Sequence, residues 1–286
     1  MATSVSNVKV YKEAWSTKLQ ARLSEPNKWK TICRVEFTNV RLLHNPFLTD
    51  PTVQSNGRGC SYTYQLLIEN DESVTYNTIR LLPQFIDRGD LAQSGYLRQM
   101  ELAERQAVLV DESIESQFYA QFSQFYVADN AVLLNGSAGS ITVSATNIDD
   151  IIRAVKREIR LASGEGLLER NGGFFVWRPA DFEILEQFVQ ANGFAVADLG
   201  LKNGTRQGFR YMGMDHWTSN LLESGRIVAG VNKILHLGIL KDTYGQIMVD
   251  DKDPAQLSGI GVVTRADFGY QLWNNHNSLV MDIGVV

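Results

Sequence analysis

The side chains able to do chemistry are few in this chain and stand apart from one another. Its four histidines, His44, His216, His236 and His276, occur singly, whereas a metal site needs several ligands at short spacing. They read as structural or surface residues, the Asp215-His216 neighbours included. Asp250-Asp251-Lys252-Asp253 has the acid content of a calcium loop without the acid, glycine and late-glutamate spacing, and reads as a solvated loop. Gly259-Ile-Gly261 opens like a dinucleotide loop but lacks the third glycine and stands too near the C-terminus for a βαβ unit. An ordinary turn is expected there. No Gly-x4-Gly-Lys-Ser/Thr phosphate cradle, His-Glu-x-x-His metal helix or Gly-x-Ser-x-Gly nucleophile elbow occurs. No catalytic, cofactor-binding or metal-binding residue is therefore assigned, and no enzyme is expected. Cys33 and Cys60 are too few for a disulfide scaffold and fit thiols in a reducing compartment.

What must be positioned is thus a surface more than a reaction centre, and the charge pattern says where to look. The chain has 286 residues, 44% hydrophobic and 21% charged, enough for one or two buried cores. Its net charge of −5 excludes a general polyanion binder. Residues 1–34 nevertheless carry seven basic side chains against two acidic ones, whereas 35–128 carry six against twelve. A basic arm precedes an acidic body. Positive charge beside tryptophan can meet nucleic-acid phosphates or the acidic middle of a neighbouring subunit; the subunit contact is favoured, with Trp15 and Trp29 as anchors. The N-terminus has no apolar core ahead of its charges and no run of about 18 apolar residues occurs, so neither a signal peptide nor a membrane span is expected.

Residues 11–23 read as a short amphipathic helix stopped by Pro26. From 34 to 82 the pattern is extended, with strands at 60–68 and 74–82 and breakers at Asn45-Pro46, Asp50-Pro51, Asn56-Gly57 and Asn70-Asp71. Asp90 is placed to cap a long helix reaching Val127, roughly 50 Å at 1.5 Å per residue. Its apolar face runs through Ala107, Val110, Ile114, Phe118 and Phe122, with a wet Gln- and acid-rich face opposite. Beyond the joint 135–140 come a helix at 147–163, a strand at 174–177 and a helix at 179–192 with Pro179 at its first position. Strands follow at 208–213 and 227–238 around turn-like 215–225, and 268–273 with 278–283 read as a closing hairpin.

This order of elements resembles the major capsid proteins of tailed bacteriophages, the Hong Kong 97 fold. The stretches that carry the likeness are Val10-Tyr-Lys-Glu-Ala-Trp-Ser16, Phe85-Ile-Asp-Arg-Gly-Asp-Leu-Ala-Gln-Ser94, Phe175-Val-Trp-Arg-Pro-Ala-Asp-Phe182 and Gly208-Phe-Arg-Tyr-Met-Gly-Met-Asp-His-Trp-Thr-Ser-Asn220. An extended excursion of that length before a long helix has no use in an unrelated α/β enzyme.

The resemblance implies an α+β, Hong Kong 97-like capsid fold: an N-terminal arm at 1–35, an extended E-loop at 36–82, a peripheral domain with its spine helix at 83–141, an axial domain at 142–261, and a C-terminal hairpin at 262–286 returning to the peripheral domain. It implies self-assembly into hexamers and pentamers of an icosahedral shell around double-stranded DNA, which is enclosed without sequence-specific binding. The location is then the virion, assembled in the host bacterial cytoplasm. Partners are further copies of the chain, with a separate scaffolding protein, a portal and a decoration protein; no membrane is involved. Candidate inter-subunit contacts are Lys12, Trp15, Lys18, Arg22 and Trp29 in the arm, and Arg41, Asn56, Gly57 and Arg58 in the loop. Because Met1 opens the arm, no scaffolding extension is expected ahead of it. Some relatives weld subunits through a loop lysine, yet no lysine stands between Lys30 and Lys156 here. A bacterial nanocompartment shell of encapsulin type and an α/β enzyme are the alternatives.

Overall fold

Five residues without a charge, Gly173–Trp177, form the strand β5, and in the computed structural model all are buried. Such a strand must sit inside a sheet covered on both faces, and it does. The structure describes residues 27–55, 63–87, 97–125, 141–192, 208–244, 246–250 and 259–285. Within them the first elements are α1 (Trp29–Ile32), β1 (Arg34–Thr38), β2 (Leu42–Leu48), β3 (Glu69–Thr75) and β4 (Thr78–Asp87), then the long helix α2 (Leu97–Phe125). There follow α3 (Ile148–Leu161), α4 (Glu165–Asn171), β5, α5 (Pro179–Ala191), β6 (Gly208–Tyr211), β7 (Met214–Thr218), β8 (Arg226–Val231), β9 (Leu235–Leu240), β10 (Gln246–Asp250), β11 (Gly259–Leu272) and β12 (Val280–Gly284). The mixed helix-and-sheet class expected from the sequence is what the chain has.

One sheet runs β12-β8-β5-β7-β6, and a second is built on β11. Along one edge of β11 lie β9 and then β10, end to end; along the other lies β4, paired from Thr78 to Asp87. β1 joins parallel to β9. Among the described elements the chain passes three times between the sheets, from β4 to β5, from β8 to β9 and from β11 to β12. At the passage from β8 to β9 Lys233 turns in the left-handed region (φ 62), and its N–H donates to the Ile32 carbonyl at 2.7 Å. α2 packs on β11, β4 and β12, so one helix covers parts of both sheets and a single apolar core joins them.

Several sequence expectations hold. α3, β5 and α5 stand where the periodicity puts them, with Pro179 opening α5. Ile114 and Phe118 are fully buried, as are Val110 and Phe122.

Others need correction. The closing hairpin does not form: its two strands fall into β11 and β12, in different sheets, because alternation identifies a strand but not its neighbour. Gly259-Ile-Gly261 is the start of β11, not a turn. Part of the turn-like segment at 215–225 is β7, which pairs with β5 and β6. The proposed single strand at 227–238 is β8 and β9 with a turn between. Asn45-Pro46 and Asn70-Asp71 do not break strands; they lie inside β2 and β3, with Pro46 directly opposite Asp71. The strand expected at 60–68 is regular only from Glu69 onward among the described residues, and the one at 74–82 is split at Tyr76-Asn77. On α2, Ala107 is exposed, while Gln106 and Glu115 of the supposedly wet face are buried. The short helix at 11–23, Asp90, the joint at 135–140 and Cys60 lie outside the described residues.

Candidate functional site

A two-stranded ribbon, β2 paired antiparallel with β3 from Leu42↔Thr75 to Leu48↔Glu69, stands apart from both larger sheets. Two strands alone bury too little to be stable in water. Beyond Leu48 the ribbon continues without a regular ladder, held by glutamine side chains. Gln54 donates from Nε2 to the Thr63 carbonyl at 2.6 Å and accepts from the Thr63 N–H at 3.1 Å. Gln65 does the same to Thr52, accepting from its N–H at 2.7 Å and donating to its carbonyl at 3.0 Å. Each side-chain amide stands in for a peptide group of the facing strand. Nothing in the hydrophobic pattern reports this, although the placing of Gln54 and Gln65 about the Asn56-Gly57 breaker is a signal that could have.

The ribbon displays apolar side chains to solvent. Of the thirteen large apolar residues exposed among the described residues, seven lie on the ribbon between Leu42 and Ile68, and five more flank it on β1, at Val40 and on β4. Val53 and Leu66 are 94% and 92% exposed, and Tyr64, Leu67 and Ile68 are also exposed. Scattered single exposures are normal, but a concentration of this kind marks an interaction surface. It is also acidic: Asp50, Glu69, Asp71 and Glu72 are on it, and its described part has neither Lys nor Arg.

The ribbon's root is fixed by a small cluster apart from the main core: Val74, Tyr76 and Trp273, with Leu43 against them. Arg41 opens the root. Its carbonyl accepts from the Tyr76 N–H at 2.8 Å, and its guanidinium reaches the buried Asp267 at 3.4 Å. Arg265 grips the same carboxylate with two bonds of 2.7 Å. Arg41 is thus a root residue whose exposed side chain serves this chain's own Asp267.

Trp29 is corrected by the structure. It is completely buried in this chain's core, where it cannot anchor a neighbour. Around it the end of the arm is clamped to α2. Glu115 accepts from the Lys28 N–H at 2.9 Å and from the Tyr119 hydroxyl at 2.7 Å, and the Lys28 ammonium lies 3.8 Å away. One turn earlier Asp111 accepts from Asn27 (2.7 Å), Lys30 (2.9 Å) and the Tyr244 hydroxyl (2.6 Å). Burial, with the Glu115 charge added, pushes the neighbouring Cys33 thiol up and out of reactive range. The carboxylate partners expected on a neighbour for the arm's charges are, for Lys28 and Lys30, in the chain itself. Lys12, Trp15, Lys18, Arg22, Asn56, Gly57 and Arg58 lie outside the described residues.

The histidines divide the same way. His44 is exposed beside Asp71 on the ribbon. His216 is fully buried among Phe175, Trp177, Phe209 and Tyr211, its ring stacked on Phe175 at 5.0 Å. Its Nδ1 accepts from the Trp177 indole N–H at 3.0 Å, so its proton sits on Nε2 and points at the Tyr211 carbonyl, 3.2 Å away. Burial holds it neutral with a pKa of about 4. This is a packed aromatic, not an acid–base pair with Asp215. Among the described residues no group of three or more His, Cys, Asp or Glu could hold a metal ion, and no helix is long and apolar enough to cross a membrane.

Searches by sequence find neither a family model nor a curated protein that matches the chain. Solved structures do match. A chain of Mycobacterium phage Che8 superposes with a TM-score of 0.67 at 16% identity, over 96% of this chain and 97% of that one. The mature capsid of bacteriophage PhiM1 gives 0.65 at 11% identity, over 100% and 95%. The capsid of Ralstonia phage GP4 gives 0.65 at 9% identity, over 100% and 98%. This chain has a phage-capsid fold. The likeness runs the length of both partners, so the segments that hold the ribbon and the long helix of this chain fall within the matched span.

Proposed function

We propose that this chain is the shell-forming major capsid protein of a tailed phage, with the Hong Kong 97-like organisation set out above. In that reading 1–35 is the arm, 36–82 the E-loop, 83–141 the peripheral domain with α2 as its spine, 142–261 the axial domain and 262–286 the return to the peripheral domain. Copies form hexamers and pentamers of an icosahedral shell around double-stranded DNA. Scaffolding, portal and decoration proteins are its further partners, and assembly takes place in the host bacterial cytoplasm.

The observation that carries the reading is the ribbon. It is an acidic, apolar-rich projection with too little of its own chain to cover it, and it needs a partner surface that is basic and apolar. Residues 1–26, with Lys9, Lys12, Lys18 and Arg22 against Glu13 and Glu25 and with Trp15 among them, supply that character on every other copy, whereas Lys28 and Lys30 serve their own chain. Contacts between unlike surfaces close into rings and shells when the rotation between copies closes, and many modest ones add up through multivalency. Lys12, Lys18 and Arg22 remain the proposed arm contacts, with Trp15; Arg41, Asn56, Gly57 and Arg58 are those of the loop.

Negative-stain microscopy of the purified chain, alone and with a candidate scaffold, tests the reading. Rings or closed shells are expected. A folded monomer at all concentrations and salts under both conditions would overturn it, and native particles filled with protein cargo instead of DNA would move it to a nanocompartment shell.

A further inference from the structure

The ribbon meets the body at one aromatic ring. Tyr76 lies between β3 and β4, is buried to 1% exposure, and sits on the face of the β11 sheet turned away from α2. Beneath it, Gly238 of β9 and Gly269 of β11 are direct cross-strand partners. A Cβ on Gly238 would come within 2.0 Å of the Tyr76 ring carbons Cε1 and Cζ. One on Gly269 would lie 2.5 Å from the Thr75 carbonyl oxygen and 3.1 Å from the ring. Neither contact is possible without movement, so the two glycines form a bare seat into which the ring and the adjoining backbone drop. Neither glycine is in the left-handed region; close approach, not backbone freedom, is what they provide. Val74 and Trp273 wall the seat, and His236 of β9 packs on Trp273 at 5.5 Å. The Tyr76 hydroxyl is buried without a hydrogen-bond partner, so the ring is held by shape.

We propose that the Gly238–Gly269 seat for Tyr76 sets the angle at which the β2–β3 ribbon leaves the body. The ribbon has few other constraints. On the outgoing side the chain is tied by the Lys241 N–H to the Thr38 carbonyl at 2.9 Å and by Arg41 to Asp267. Across the root, the Tyr76 N–H to Arg41 carbonyl bond couples the outgoing and returning passes. Moving Tyr76 therefore moves both. Tyr76 is a positioning residue: it faces no partner, but it aims the residues that would. The link to assembly rests on the ribbon being the docking element.

The test is a distance distribution between spin labels on Val53→Cys in the ribbon and Gln190→Cys on α5, in a Cys60→Ser background with the buried Cys33 untouched. Gly238→Ala, which crowds the seat, and Tyr76→Ala, which empties it, should both shift and broaden the distribution. Tyr76→Phe keeps the ring and loses only an unpartnered hydroxyl, and should match the parent. Two probes of opposite kind keep the test alive if one variant fails to fold. An unchanged distribution in a folded Gly238→Ala or Tyr76→Ala chain overturns the seat, whatever happens to assembly. A broadened distribution with normal particle yield leaves the seat standing and removes the ribbon from the docking role.

Discussion

β5 and the β2–β3 ribbon obey the same hydrogen-bonding rules and reach opposite ends. Around β5, Phe174, Phe175, Val176 and Trp177 are completely buried between α-helices and neighbouring strands of their own chain. On the ribbon, residues of similar type, Val53, Leu66, Leu67 and Ile68, face water. Burial contributes roughly 25 cal/mol per Å² of apolar area, so the β5 region is stabilised within the monomer while the ribbon has that free energy still to gain. In the proposed reading the difference separates folding from assembly: one region makes the subunit, and the other is left for a neighbour to cover.

The strongest way to break this comparison is to truncate the buried side. Ile114→Ala and Phe118→Ala on α2 should each cost about 3 to 5 kcal/mol in denaturant melts, whereas Gln121→Ala should cost little. Gln117→Ala should lose about 1 kcal/mol with its bond to Arg80. Glutamine variants more damaged than the apolar pair would show that the wrong face of α2 has been assigned to the core.

The next effect is acid. His216 binds its proton at about 4 when folded against 6.5 in the free side chain. The unfolded chain therefore holds more protons between those values, and stability is fully present above about pH 6.5 and falls as the pH drops toward 4. The difference corresponds to about 3 kcal/mol at full effect. A His216→Phe chain melted across this range should show a shallower pH slope than the parent; equal slopes would mean the ring is not held neutral by its packing.

Smaller still in the monomer, and sharper for the comparison, is the ribbon. Leu66→Ser and Leu67→Ser should change subunit stability by no more than about 0.5 kcal/mol, while sharply reducing particle yield. Loss of stability equal to that of the α2 variants would show that the ribbon is covered within its own chain.

The last expected effect is an absence of covalent joining. The ribbon has no lysine, the nearest being Lys30 and Lys156, and arginine stays protonated near neutral pH, which makes it a poor nucleophile. Boiled, reduced particles should run as one band near 32.0 kDa. A ladder of multiples would require a lysine from outside the ribbon to reach a partner.

Legibility in the sequence followed the same division. Where packing is internal, periodicity reported it: α3, β5, α5 and the buried stripe of α2 stand as the pattern implies. Where the chain faces outward the rules loosened. Pro46 sits inside a strand because a two-stranded ribbon leaves each strand an open edge, where a missing donor costs nothing, and Asn70 keeps its place opposite Phe47 with its side-chain amide donating to the Thr49 hydroxyl at 2.9 Å. Glu115 and Gln106 looked like surface residues because their type is usually wet; here a charge partner in Lys28 and amide and hydroxyl partners in Gln84 and Thr264 let them be buried. Trp29 read as an anchor for a neighbour because the signal for an interface aromatic and for a core aromatic is the same. Strand partners were not legible at all: β11 and β12 are consecutive and alternate correctly, yet belong to different sheets.

The way β1 and β4 enter the second sheet has a mechanical meaning. β1 runs parallel to β9, β9 and β4 both run antiparallel to β11, and so β1 and β4 point the same way. The ribbon is spliced between the end of one and the start of the other, at the level of Phe268, where Thr38 and Thr78 stand one strand apart from the Leu240 to Phe268 region. A tug along the strand direction puts β1 in tension, and a tug the other way puts β4 in tension. Either way the load enters at a strand end and must slide a whole ladder at once, instead of opening it one bond at a time. The two directions are unequal: β1 resists with five residue pairs and β4 with ten, so the mounting is a ratchet-like bracket, stiffer to force that draws on β4 than to force that draws on β1.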